Sequence, residues 1–149
     1  MTIKELIELV NPLDVSRTKP EGEIGPLVQN SRQVTDGAVF IAIRGTEVDG
    51  HLFLEDAIHR GAKVLICEES FYTDAPGVCV IEVENTRSLI GPLSQQFEGN
   101  PAKELTVIGI TGTNGKTTTA TLVYQILTAV GRKASLLGTV SKVINDEVL

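Results

Sequence analysis

Residues 38–68, AVFIAIRGTEVDGHLFLEDAIHRGAKVLICE, decide the fold. AVFIAI (38–43) and KVLICE (63–68) are short apolar runs rich in β-formers, the pattern of strands buried on both faces. Between them, HLFLEDAIHRG (51–61) places Leu52, Leu54, Ala57 and Ile58 on a helical stripe, with Gly61 as its C-terminal stop. VCVIEV (78–83) adds a third strand after the turn-rich FYTDAPG (71–77). Strands alternating with helices predict an α/β architecture.

Working outward, Thr2-x-x-Glu5 has the form of a capping box, followed by Ile3, Leu6, Ile7 and Val10 at helical spacing and closed by Pro12. Residues 11–26 are polar and rich in Pro and Gly, so mostly loop is expected. A helix from Asn85-Thr86 would bury Leu89, Ile90, Leu93 and Phe97, and Pro92 requires it to begin later or to kink. GNPAKE (99–104) reads as a linker, with a boundary near residue 102. Beyond it, LTVIGI (105–110) is expected as a strand, TGTNG as a loop, and KTTTATLVYQILTAVG (116–131) as a helix. That helix would present Leu122, Val123, Ile126, Leu127 and Val130 as its apolar face. ASLLG (134–138) would be a further strand, and the last ten residues a hairpin around Asn145-Asp146. The expected organisation is a small mixed α/β domain over 1–102, then the opening of a second α/β domain over 103–149. Two strands are too few for a covered parallel sheet, so the second domain reads as cut short.

Apolar residues make up 42% and charged residues 21% of the 149-residue chain, enough for a packed core in a soluble protein. The net charge of −6 and isoelectric point near 4.9 argue against a nucleic-acid partner, which calls for clustered Lys and Arg. No run reaches the roughly 20 apolar residues of a membrane span, and the N-terminus lacks a signal peptide's pattern. A cytoplasmic protein without membrane insertion is expected. Cys67 and Cys79 sit inside apolar strands and read as buried thiols. His51 and His59 read as surface or helix-start residues.

The chemistry concentrates in ITGTNGKTTTA (110–120). A strand, a glycine loop and a helix in immediate succession, with a lysine and hydroxyls at the helix start, suit a nucleotide's phosphates. Gly112, Thr113, Asn114 and Gly115 would form the cradle. Lys116 would reach the β- and γ-phosphates, Thr117 would offer its hydroxyl to Mg²⁺, and Thr118 would hold further phosphate oxygens. Ile110 stands where the common pattern has its first glycine, so the loop is a shorter G-x-x-G-K-T form. A simple strand-to-helix turn would need neither the lysine nor the hydroxyl. In the first domain, RGTEVDGH (44–51) follows a strand, and loops at strand C-terminal ends bind ligands in open α/β sheets. Thr46, Glu47 and Val48 are therefore candidate ligand contacts, against the alternative of a solvated loop with an Asp-Gly turn.

GITGTNGKTTT resembles the ATP loop of the Mur ligases, cytoplasmic enzymes that build the peptidoglycan stem peptide. NSR…DGAVFIAIRG…DGHLFLEDAIHRGA, VENTRSLIGPLSQQFEGNP and LLGTV are similar to the same family, from about Ser31 to Val140. The resemblance implies an ATP- and Mg²⁺-dependent ligase that adds the third residue, diaminopimelate or lysine, to UDP-MurNAc-L-Ala-D-Glu through an acyl phosphate. It implies that Ser31, Thr46, Glu47 and Val48 hold the UDP end, that Gly112 to Thr118 bind ATP, and that Lys116 is catalytic. Asn30 stands where aspartate is usual in the family, and Thr46 where some relatives have histidine. Further magnesium ligands, a carbamylated lysine and the domain that selects the amino acid would lie beyond Leu149, so residues 1–149 alone are expected to be inactive. The alternatives are the ligase adding D-alanyl-D-alanine and a non-catalytic nucleotide-binding module.

Overall fold

The computed structural model describes residues 1–16, 22–144 and 147–148. They fall into two compact units, Met1–Leu105 and Thr106–Leu149.

In the first unit α1 (Ile3–Val10) is followed by β1 (Asp14–Val15), β2 (Leu27–Val28) and β3 (Val39–Ile41). Then come α2 (Leu54–His59), β4 (Val64–Cys67), β5 (Cys79–Glu82) and α3 (Thr86–Phe97). The sheet order is β1-β5-β4-β3-β2, with β2 to β5 parallel and β1 antiparallel on the edge. Because side chains alternate across a strand, the sheet feeds two cores. Val39, Ile41, Val64, Ile66, Cys79 and Ile81 meet Ile3, Leu6 and Val10 of α1 and Leu93 of α3. Ala38, Phe40, Ala42, Leu65, Cys67 and Val80 meet Leu54 and Ala57 of α2. A sheet covered on both faces explains why its strands read as unbroken apolar runs.

The capping box is present: the Glu5 N–H donates to Thr2 Oγ1 at 3.4 Å and the Thr2 N–H to Glu5 Oε2 at 2.8 Å. Helix α3 starts at Thr86, with Asn85 Oδ1 accepting the Ser88 N–H at 2.9 Å, and runs through Pro92 rather than beginning after it. Full burial of Leu93 offsets the hydrogen bond that the proline removes. Both cysteines are buried, and desolvation pushes the Cys67 thiol up to about 11.

Residues 11–26 are mostly loop among those described, as expected, and in addition contain the edge strand β1, because Leu13 and Ser16 donate backbone bonds to Glu82 and Val80 on the open side of β5. Two expectations need correction. The helix over 51–61 is a 3₁₀ turn, Gly50–Phe53, followed by a short α2, and Leu52 is 77% exposed rather than on the buried stripe. The tighter 3₁₀ winding rotates Leu52 away from the face carrying Leu54 and Ala57.

The second unit contains α4 (Lys116–Ala129) and an antiparallel sheet of β6 (Leu136–Leu137), β7 (Lys142–Ile144) and β8 (Glu147–Val148). The expected hairpin pairing is present, while its turn at 145–146 lies outside the described residues. Residues 105–110 are not a strand, the second correction. A strand exists through its ladder, and among the described residues this segment has no pairing partner; Leu105, Val107 and Ile108 are exposed.

Candidate functional site

The parallel strands of the first unit end on one edge, and the segments leaving them converge there. After β2 the chain enters a 3₁₀ turn, Ser31–Gln33, with Asn30 Oδ1 accepting the Arg32 N–H at 3.0 Å. This capping role needs only a side-chain acceptor, so asparagine serves where aspartate is usual. Ser31 is buried. Hydrogen bonding from Ser31 and from Arg60, whose Nε donates at 3.0 and 2.9 Å, holds the Asp56 carboxyl below its usual range.

After β3 the chain turns back on itself in a small hairpin. Arg44 and Asp49 form an antiparallel bridge, and the Gly45 N–H donates to the Val48 carbonyl at 3.0 Å. Gly50 then donates to the Ile43 carbonyl at 2.8 Å. A Cβ on Gly50 would lie 2.6 Å from the Ile43 nitrogen, so only glycine permits this approach. The Asp-Gly dipeptide thus serves as a backbone contact as well as a turn.

Asn30, Ser31, Arg32, Val48, Gly50 and Phe53 are among the residues that line a cavity of about 280 Å³. That is near the lower end of ligand-pocket sizes, enough for one end of a larger molecule. The structure therefore brings Ser31 and Val48 together. Thr46 and Glu47 stand exposed at the hairpin tip and do not line this cavity.

A polar network lies behind the hairpin. His51, with a side chain 7% exposed, is at a helix start but not on the surface. Its Nε2 accepts the Glu68 backbone N–H at 2.9 Å, so the proton sits on Nδ1, which donates to Asp49 Oδ1 at 2.6 Å. The His51 backbone and side-chain bonds hold the Asp49 carboxyl below its usual range. Glu68 Oε1 accepts the backbone N–H of Thr86 at 2.8 Å and its hydroxyl at 2.9 Å, at the start of α3. Burial pushes the Glu68 carboxyl up, but the Thr86 bonds and the Arg44 charge outweigh it and the net shift is downward. Arg44 lies 3.5 Å from Glu68 and also pairs with Glu69, while the Arg87 guanidinium donates to the Arg44 carbonyl at 2.6 Å. Sequence reading missed this network, since Glu68 and Thr86 are remote from the hairpin in the chain. The available signal was a charged residue ending an otherwise apolar strand.

In the second unit the glycine loop leads directly into α4. Gly112 has φ +148°, and Gly115, at φ +75°, is the N-cap residue, a conformation that costs glycine little. The Thr119 N–H closes the first turn on the Gly115 carbonyl at 2.9 Å, leaving the amides of 116–118 without intrahelical acceptors. The Lys116 ammonium folds back to donate to the Gly112 carbonyl at 2.6 Å and the Thr113 carbonyl at 3.3 Å. Positive charge, unpaired amides and exposed hydroxyls of Thr117 and Thr118 share one short segment. This is a fit for an anion. Among the described residues no group of three or more His, Cys, Asp or Glu could hold a metal ion. No described helix is long and apolar enough to cross a membrane.

Comparison with known proteins gives the arrangement a context. Residues 24–98 match the Mur ligase family, catalytic domain, and residues 110–148 the Mur ligase middle domain. The chain is 38% identical over 150 aligned residues to the UDP-N-acetylmuramoyl-L-alanyl-D-glutamate–2,6-diaminopimelate ligase of Cytophaga hutchinsonii, covering 100% of this chain and 31% of that protein. Among solved structures, a UDP-N-acetylmuramoyl-L-alanyl-D-glutamate–2,6-diaminopimelate ligase shares the fold with TM-score 0.74 at 21% identity, over 99% of this chain and 29% of the other. The MurF ligase of Thermotoga maritima, in complex with ADP, matches with TM-score 0.52 at 30% identity, over 75% of this chain and 24% of the other.

Proposed function

The chain belongs to the Mur ligase family, and we propose that it is the N-terminal part of the ligase that adds 2,6-diaminopimelate to UDP-MurNAc-L-Ala-D-Glu in peptidoglycan synthesis. It spans about 31% of the length of the relative it matches, so the complete reaction belongs to a longer protein. The observation that carries the reading is the glycine loop seated on α4, with Lys116 folded onto it, in a chain similar end to end to a diaminopimelate ligase.

The first unit, taken as 1–102 with its short tail, holds the UDP end of the substrate. Ser31 and Val48 wall the cavity, and Thr46 and Glu47 sit on a hairpin tip from which their backbone groups reach a bound nucleotide. The second unit opens the ATP-binding domain. Amides of 116–118 and the Thr118 hydroxyl hold phosphate oxygens, and Thr117 offers its hydroxyl to Mg²⁺. Among the described residues no acidic cluster would share the ion with Thr117, in keeping with further magnesium ligands beyond Leu149. When bound, Mg²⁺ supplies charge neutralisation between the phosphates.

A substrate carboxylate attacks the γ-phosphorus, forming a C–O–P link and releasing ADP. The incoming amine then attacks the acyl carbon, phosphate leaves with the C–O electron pair, and the amine loses a proton. Lys116 has to leave the Gly112 and Thr113 carbonyls to meet the γ-phosphate, where its charge offsets that of the transferring group. The D-alanyl-D-alanine-adding reading draws on the MurF likeness, which is weaker in identity and coverage.

Amide shifts of isotope-labelled chain, titrated with UDP-MurNAc-L-Ala-D-Glu and then ATP·Mg²⁺, test the assignment. The expected result is a first set of shifts at Ser31 and Thr46–Val48 and a second at Gly112–Thr118. Shifts with ATP alone would leave a nucleotide-binding module and remove the substrate claim.

A further inference from the structure

We propose that His51 is a positioning residue for the nucleotide end of the substrate: it pins the 44–50 hairpin to the end of β4 and thereby sets the Val48 wall of the cavity. The inference rests on the reading above that this cavity takes the UDP end.

The hairpin fixes its own shape without His51. The Gly45–Val48 bond closes its tip, and the Gly50–Ile43 bond and the Arg44–Asp49 bridge close its base. None of these ties it to another strand. The imidazole does: Nε2 accepts from the backbone of Glu68, just past β4, and so ties the chain at the hairpin's base to that strand, while Nδ1 donates to Asp49 and orients the ring. That backbone donor is distinct from the Glu68 carboxylate, which is occupied by Thr86 and Arg44. A buried ring with two fitted partners holds one orientation, whereas the Arg44 ion pairs and the Arg87 bond to the Arg44 carbonyl are made by exposed, solvated side chains and are individually weak. Val48 is three residues from His51 across the same hairpin, so a tilt released at His51 moves the cavity wall directly. A misplaced wall weakens binding of the nucleotide without altering the ATP loop.

Two substitutions separate the two arms of the ring. His51→Asn keeps a donor near the Nδ1 position for Asp49 but is too short to reach Glu68. His51→Gln places an amide oxygen near the Nε2 position, where it accepts the Glu68 N–H, and gives up the Asp49 bond. The chain and both variants are titrated calorimetrically with UDP-MurNAc-L-Ala-D-Glu, with thermal unfolding recorded alongside. The expected result is a Kd raised at least tenfold in His51→Asn and within threefold of the parent in His51→Gln, at similar melting temperatures. Equal losses in the two variants, or parent-like binding by His51→Asn, would overturn the positioning role while leaving the functional reading intact. Should His51→Asn fail to fold, His51→Gln still decides, since a folded Gln variant with more than a tenfold loss contradicts the tether. A folded parent chain that does not bind the substrate overturns the functional reading and this inference with it.

Discussion

Helices α1 and α4 read alike in the sequence and end differently in the structure. Each carries an apolar stripe at helical spacing. In α1, Ile3, Leu6 and Val10 are buried against the five-stranded sheet. In α4, Leu122, Ile126 and Val130 are 53%, 62% and 68% exposed, and the described residues of its unit offer three short strands of two or three residues. An amphipathic pattern states a demand for a partner, and its energetic value depends on whether the partner is there. Stability in this chain is therefore expected to reside in the first unit, while the proposed phosphate binding is assigned to the second.

The sharpest way to break that comparison is a matched pair of truncations. Ile66→Ala removes a fully buried side chain from the centre of the sheet and should cost about 2–5 kcal/mol. Ile126→Ala removes an exposed side chain of the same size and should change stability by less than about 0.5 kcal/mol. Denaturant midpoints of the two variants check this. Equal losses would show that α4 is packed in solution and that the contrast is false.

Function should show the opposite asymmetry. In the complete ligase proposed above, Lys116→Ala is expected to lower turnover at least about a hundredfold, since the role proposed for its charge is at the transferring phosphoryl group. Binding of UDP-MurNAc-L-Ala-D-Glu and the melting temperature should stay near parent values, because among the described residues the Lys116 ammonium bonds to its own loop. Steady-state kinetics with a parallel binding titration separate the two effects. Unchanged turnover would remove Lys116 from the mechanism.

What the sequence disclosed follows the same division. β3, β4 and β5 were legible because a strand covered on both faces must be apolar throughout, and the capping box was legible because it is local. The two-residue strands β1 and β2 were not, since such short pairings depend on the open edges of β5 and β3 rather than on their own residues. Residues 105–110 show the converse: a strand pattern that finds no ladder partner among the described residues forms no strand. At the candidate site, the glycine loop and the helix after it could be expected from spacing alone, whereas joining Ser31 to Val48 required the fold. The His51–Glu68–Thr86 network was hidden because hydrogen bonds between a loop, a strand end and a helix start leave no periodic trace.

A smaller effect sharpens the account of the first unit's rim. Gly50→Ala should destabilise by about 1–3 kcal/mol, the ordinary cost of forcing an atom into packed space, because its Cβ would meet Ile43 backbone atoms at 2.6 and 2.8 Å. The same displacement should weaken binding of the UDP substrate and leave ATP binding unaltered. A melting temperature and two titrations suffice, and a parent-like variant would mean that the hairpin is not held against Ile43.

The smallest expected effect is that of acid, and its sign follows from three carboxylates on that rim. Asp49, Asp56 and Glu68 are all held below their usual range, Asp49 chiefly by His51, Asp56 chiefly by Ser31, and Glu68 by Thr86 and Arg44 against the opposing effect of burial. A depressed folded-state value means that the unfolded chain binds protons first as pH falls. Their contribution to stability is therefore complete above the unfolded values, about pH 4, and is lost as pH falls through the lower folded values. Cys67, raised to about 11 by burial, acts in the opposite direction: its contribution is present at neutral pH and is lost as pH rises through that value. Hydrogen exchange at the 44–50 hairpin amides should thus show constant opening free energy from pH 7 to 5 and loosening below about 4. The loop Gly112–Thr118 contains no carboxylate, so its opening should not respond over the same range. A hairpin indifferent to acid would mean that these hydrogen bonds do not hold the rim, and the cavity wall would then have to be placed by backbone contacts alone.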